Sequence, residues 1–261
     1  MQGAMQPLFS LLLLGVTNSI EIVGTRTSRI KVAPTPETEY EARKLMYPFV
    51  AAVLYNDWVQ CGATMYKTHV ALTSADCTMG RIEAYQIVTK LHNTSQLESA
   101  SKFKVKDISR HPNFKPVTMA RYNIAILTLD APPDNEPMLA LDHRGTGKGM
   151  VYVIGWGYSQ GHWTRSPVVR NSFLPILGKE LCTSLKGRPI AHATEFCIGK
   201  AQKNAGTYLV DPGSPAVTIK NGQFQLLGIA SWSEIYTKDS YLPTVFSRIS
   251  HYADWIKSKS H

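Results

Sequence analysis

The sequence predicts an all-β protein, a sandwich or barrel of short strands closed by one terminal helix. Three observations point there. From Tyr47 onward the runs YPFVAAVLY, GATMYKTHVALTS, RYNIAILTLD, MVYVIGWG and FQLLGIASW are short and apolar or alternating, each bounded by Gly, Pro, Asn or Asp. Glycine (18), proline (15) and tyrosine (12) are well represented while long charged helical runs are absent, which favours strands and turns over a helical bundle. Ile249, Tyr252, Ala253 and Ile256 fall at the spacing of an amphipathic helix. With 261 residues, 44% of them hydrophobic, the chain can bury a full core in one large domain or two packed halves.

In chain order, residues 1–19 read as a signal peptide. PLFSLLLLGV (Pro7 to Val16) is an apolar run too short to span a bilayer, and Thr17 and Ser19 are placed for cleavage after Ser19. The competing reading is a buried N-terminal strand. Residues 20–43 are polar, charged and rich in Pro and Thr, an extended lead-in that could serve as an activation segment. Residues 44–261 form the main domain, and no later stretch has the length of a spanning helix.

Four cysteines in a secreted chain imply two disulfides, with three connectivities open, and the spacings Cys61–Cys77 and Cys182–Cys197 suit two separate loop closures. No Cys-x-x-Cys pair occurs and the histidines are scattered, so neither a zinc site nor any other cofactor is expected. Glycine-rich phosphate loops are also absent. The sequon Asn93-Thr94-Ser95 marks a candidate glycan site on a surface loop.

The formal charge is +9, unevenly spread. Lys102, Lys104, Lys106, Arg110, Lys115 and Arg121 face only Glu98 and Asp107 within residues 98–121. Alternation with Phe103 and Val105 puts Lys102, Lys104 and Lys106 on one solvent face of a strand. Such a stripe is either a strand edge kept soluble by lysines or a polyanion-binding surface. No nucleic-acid partner is expected.

From about Arg29 to the C-terminus the order of motifs resembles the chymotrypsin/trypsin family of serine proteases. CGATMYKTHVALTSADC is similar to the family's CGGSLI…VLTAAHC, with Cys61 and Cys77 at its disulfide positions. RHPNF with RYNIAILTLDAP resembles HPxY…NDIALLKLxxP, VIGWG resembles SGWG, and FLPILGKELC resembles the stretch ending in the next family cysteine. FCIGKAQKNAGTYLVDPGSPAV is similar to the ICAG…GDSGGPLV block, GIASWS to GIVSWG, and YLPTVFSRISHYADWI to the closing segment. The resemblance implies a chymotrypsin-like fold, all-β, of two six-stranded antiparallel β-barrels with a C-terminal α-helix.

It also implies where chemistry should sit, and those positions have changed. The base position is Asp76, whose weak basicity and short reach suit it poorly to a serine hydroxyl. The orienting carboxylate is Asn123; in the Ser-His-Asp template an amide there costs about 10⁴ in turnover by favouring the wrong imidazole tautomer. The nucleophile is Pro212, which has neither an attacking atom nor a backbone N–H for the oxyanion hole. Val210 replaces the glycine that supplies the other donor. Ser214 and His69 are the nearest substitutes, with an ordinary turn serine and surface histidine as the plainer reading.

The implied specificity pocket is altered too. Gly206 stands at the selecting position, Ser233 and Thr244 at usually glycine wall positions, and Ser231 lies in the same wall, while Tyr208 and Tyr236 replace a disulfide pair. Cleavage at Arg29-Ile30 would free an ammonium at Ile30 to pair with Asp211, with Ile22 as a rival start; otherwise Asp211 caps a turn. The expectation is a secreted, non-catalytic homologue that binds a protease, zymogen or inhibitor. Binding of a glycosaminoglycan or microbial surface, and a residual endopeptidase, are the alternatives.

Overall fold

The computed structural model describes residues 20–23, 29–32, 40–42, 46–117, 121–131, 139–145, 148–157, 165–186, 189–199, 210–232 and 243–260. Strands β1 (Ile20–Val23) and β2 (Arg29–Val32) pair antiparallel as a two-stranded sheet within the predicted lead-in. The short β3 (Tyr40–Glu41) follows.

The first barrel contains β4 (Val50–Tyr55), β5 (Trp58–Lys67), β6 (Val70–Thr73), β7 (Tyr85–Thr89), β8 (Ser101–Arg110) and β9 (Ala125–Leu129). These close antiparallel in the order β4-β5-β6-β9-β8-β7. The β4–β5 hairpin turns at Asn56 and Asp57, both at positive φ (48° and 63°). Asx residues tolerate that region, and its twist matches the flanking strands. Alternate residues Ala51, Val53, Ala63, Met65, Ala71, Ile87, Leu127 and Leu129 fill the interior. The small alanines leave room for Met65 and the leucines inside a narrow barrel.

The second half contains β10 (Ala140–Leu141), β11 (Met150–Gly155), β12 (Arg170–Pro175), β13 (Glu195–Ile198), β14 (Pro215–Lys220), β15 (Gln223–Trp232) and β16 (Thr244–Arg248). Their order is β13-β16-β15-β14-β11-β12, with β3 added beside β12 and β10 parallel to β15. An isolated bridge, Ile176 to Ile198, brings the end of β12 round to β13, so the sheet curls into the second barrel. Asn221-Gly222, both at positive φ, makes the tight β14–β15 turn. Val151, Val153, Phe196, Ala216, Leu227 and Phe246 pack inside.

Helix α1 (Lys179–Lys186) carries Cys182, and α2 (Ile249–Lys259) buries Ile249, Tyr252, Ala253 and Ile256, the four positions its periodicity predicts. The outer faces of both barrels meet in one apolar cluster. Ala52, Leu54, Leu72 and Ile126 from the first pack with Ile154, Leu226 and Ile229 from the second and with α2. Both disulfides form, Cys61–Cys77 and Cys182–Cys197.

Candidate functional site

The positions expected to carry chemistry converge where the barrels meet. Asp76 sits in a 3-10 turn, Ala75–Thr78, directly after β6, with its side chain exposed. Its backbone N–H donates to Asn123 Oδ1 at 3.0 Å. Asn123 is 1% exposed, and its Nδ2 donates to the Ser231 carbonyl at 3.2 Å, so the amide accepts on one side and donates on the other. A carboxylate could accept from Asp76 but would turn a second lone pair toward the Ser231 carbonyl. The amide at 123 therefore suits its present partners.

Tyr122, immediately before it, holds a positive φ of 55°, a strained conformation for an aromatic residue. A stack on His111 (5.1 Å between centroids, 10° between planes) braces it. His111 in turn meets the edges of Tyr252 and Trp255 on α2. Burial lowers the His111 pKa, and His251 adds to the effect.

The Pro212 loop is tied down by its backbone. Gly62 N–H donates to the Pro212 carbonyl at 2.8 Å, and Gly213 N–H donates to Ala230 O at 2.7 Å. Gly213 has φ +87°, and a Cβ there would overlap the Gly62 carbonyl oxygen and Thr73 Oγ1. Only glycine fits. Proline has no N–H, and that of Gly213 is committed inward, so neither residue presents a donor to the cleft. Val210, expected at the remnant of the oxyanion hole, buries its side chain in the second-barrel core.

Asp211 is 1% exposed. Its Oδ1 takes the Nε of Arg165 at 2.9 Å and its Oδ2 takes the Gly157 N–H at 2.8 Å. Arg165 also donates from Nη1 to the Val59 carbonyl and from Nη2 to Gln60 O at 3.0 Å, which crosses from the second barrel to β5 of the first. Burial raises the Asp211 pKa, while Arg165 and the Gly157 and Trp156 N–H groups pull it down.

Of the two substitutes, Ser214 is 0% exposed, and its Oγ is wedged where a Cβ on Gly62 or Gly155 would collide with it. That Oγ has no hydrogen-bond partner among the described residues, while the Ser214 backbone is bonded to Asp211 and Ala230. His69 lies just before β6, half-buried, its carbonyl bonded to Leu129 N–H at 2.8 Å.

Ser231 and Thr244 are both buried, Thr244 paired with Ile198 at the start of β16. Gly206, Tyr208, Ser233 and Tyr236 lie outside the described residues, as does the side chain of Ile30. Lys186 of α1 holds its Nζ 4.6 Å over the Trp232 ring. Sequence reasoning did not single out Arg165, Lys186 or Trp232. A shallow groove bounded by Met46, Tyr47, Lys90 and His92 includes none of the site residues.

Lys102, Lys104 and Lys106 are all exposed. They do not mark a strand edge, because β8 is paired on both sides, to β7 and β9. Lys106 falls at a bulge between Val105 and Asp107, where the strict alternation breaks. Asn93 is half-buried, pairs with Val168 as an isolated bridge, and accepts from Ser95 N–H at 2.9 Å to open a 3-10 turn. Among the described residues no cluster of three metal-ligating side chains occurs, and no helix is long and apolar enough to cross a membrane.

A family model described as Trypsin matches residues 38–256. The chain belongs to the trypsin family, and the match begins after Arg29-Ile30. It is similar to chymotrypsin-like elastase family member 1 of Rattus norvegicus, 28% identical over 84% of this chain and 86% of that protein. Serine protease sp-Eoc49 of Echis ocellatus is 28% identical over 79% and 80%, and trypsin-1 of Astacus astacus 26% over 77% and 87%.

Proposed function

We propose that this protein is a secreted, non-catalytic trypsin-family member that acts by binding another protein: a protease, its zymogen or an inhibitor. The observation that carries this is Pro212, which removes the attacking atom and one oxyanion donor together. Asp76 and Asn123 add a base that reaches poorly and an amide engaged in structural bonds. A retained two-barrel scaffold with several surface loops is suited to recognition. Two formed disulfides and the apolar leader support an extracellular setting, with Asn93 as the expected glycan site.

A second reading rests on its own observation. Lys102, Lys104 and Lys106 form an exposed cationic stripe on the outside of the first barrel, suited to a glycosaminoglycan or microbial polyanion. Two measurements on the purified full chain separate the readings. A fluorophosphonate probe should leave the protein unlabelled; covalent labelling would establish a residual serine hydrolase and overturn the proposal. A complex with an active trypsin-family protease should survive high salt. Heparin binding that falls steeply with salt, and is lost in a Lys102→Glu/Lys104→Glu/Lys106→Glu variant, would instead make the stripe the working surface.

A further inference from the structure

We propose that Arg165 is a built-in counter-cation that sets the Pro212 loop in its final form in the uncleaved chain, so that the domain needs no new N-terminus to become ordered. Asp211 offers one buried carboxylate, and both of its oxygens are taken, Oδ1 by Arg165 and Oδ2 by the Gly157 N–H. All three guanidinium nitrogens are used, Nε on Asp211 and the other two on the Val59 and Gln60 carbonyls. An ammonium entering this seat would have to displace a cation held at three points, leaving a guanidinium and two carbonyls to find other partners.

The same carboxylate belongs to the loop whose turn is completed by Ser214 N–H on Asp211 O (3.1 Å) and Gly213 N–H on Ala230 O (2.7 Å). The Asp211–Arg165 pair therefore joins three pieces of backbone: the Gly157 corner through Oδ2, the Pro212 loop that carries Asp211, and β5 of the other barrel through the guanidinium. A fork of five fixed donors can do this where a single ammonium cannot. Order of the loop thus comes from within the folded chain, whether or not Arg29-Ile30 is cut and whether or not the site hydrolyses anything.

The test is amide hydrogen exchange at Gly157 and Gly213 in the full chain, intact and after limited cleavage at Arg29. Strong protection of both amides in the intact protein, unchanged by cleavage, is the expected result. Protection that develops only after cleavage would overturn the proposal. Arg165→Gln in the intact chain should accelerate exchange at both sites by about 100-fold or more, since it strands a buried carboxylate. Unchanged protection in that variant would also refute it. If Arg165→Gln fails to fold, the Arg165→Gln/Asp211→Asn pair, which leaves no buried charge, should fold and regain protection. Failure of both variants with an intact wild-type loop left unprotected counts against the proposal.

Discussion

Replacing Asn123 by aspartate would restore the residue type that the resemblance places there, yet the structure predicts damage. The side chain is 1% exposed, its Nδ2 bonds the Ser231 carbonyl, and its Oδ1 accepts from the Asp76 N–H. A carboxylate keeps the second bond, loses the first, and turns a lone pair toward a carbonyl oxygen. An unsatisfied buried acceptor costs about 1–3 kcal/mol, and an unpaired buried charge more. Protonation sets the ceiling: neutralising an ordinary carboxyl (pKa about 3.9) at pH 7 costs about 4 kcal/mol, and the neutral acid can donate to Ser231.

Asn123→Asp should therefore lower stability by about 2–4 kcal/mol at pH 7. The folded-state pKa of the new carboxyl is raised above its unfolded value. The penalty is thus nearly absent below the unfolded pKa and grows as pH rises through it toward the folded pKa. Urea unfolding followed by tryptophan fluorescence, wild type against variant from pH 4 to 8, reads this directly. A variant as stable as wild type at pH 7, or a deficit flat across that range, would refute the account of Asn123 as an amide matched to Asp76 and Ser231.

Gly213→Ala should cost at least about 3 kcal/mol, from the wrong φ and from overlap with the Gly62 carbonyl, seen as a lowered thermal midpoint. Pro212→Ser alone should gain no fluorophosphonate labelling, because Asp76 at the base position is weakly basic and short in reach; labelling would mean that Asp76 or another group activates it. The lowered His111 pKa makes the folded state bind fewer protons, so stability is complete above the ordinary value of 6.5 and falls as pH drops through it toward the folded value. His111→Gln should flatten that acid-side loss in pH-dependent unfolding curves. Its own cost at pH 8, from the lost stack on Tyr122, should be about 1 kcal/mol.

Local patterns were legible wherever one face of an element meets the core. The spacing of Ile249, Tyr252, Ala253 and Ile256 named the buried face of α2, and the bounded apolar runs located β4, β5, β9, β11 and β15. Helix α1 was not legible: over Lys179–Lys186 only Cys182 and Lys186 are buried, too short and too polar a stretch to show a period. The Lys102–Lys106 alternation gave the right exposure but the wrong setting. An edge and the outside of a closed barrel look alike in sequence, and only the pairing of β8 with β7 and β9 tells them apart.

The sequence by itself determined the fold class, the terminal helix and the candidate disulfide spacings. These depend on residue type and short-range order, which the chain carries before it folds. Tertiary structure decided which distant groups meet. Asn123 bonds Ser231, Arg165 takes Asp211, and Ser214 is shut between Gly62 and Gly155. Such groups lie far apart along the chain and are brought together only when two barrels close and dock, where burial favours pairing of most polar groups within reach.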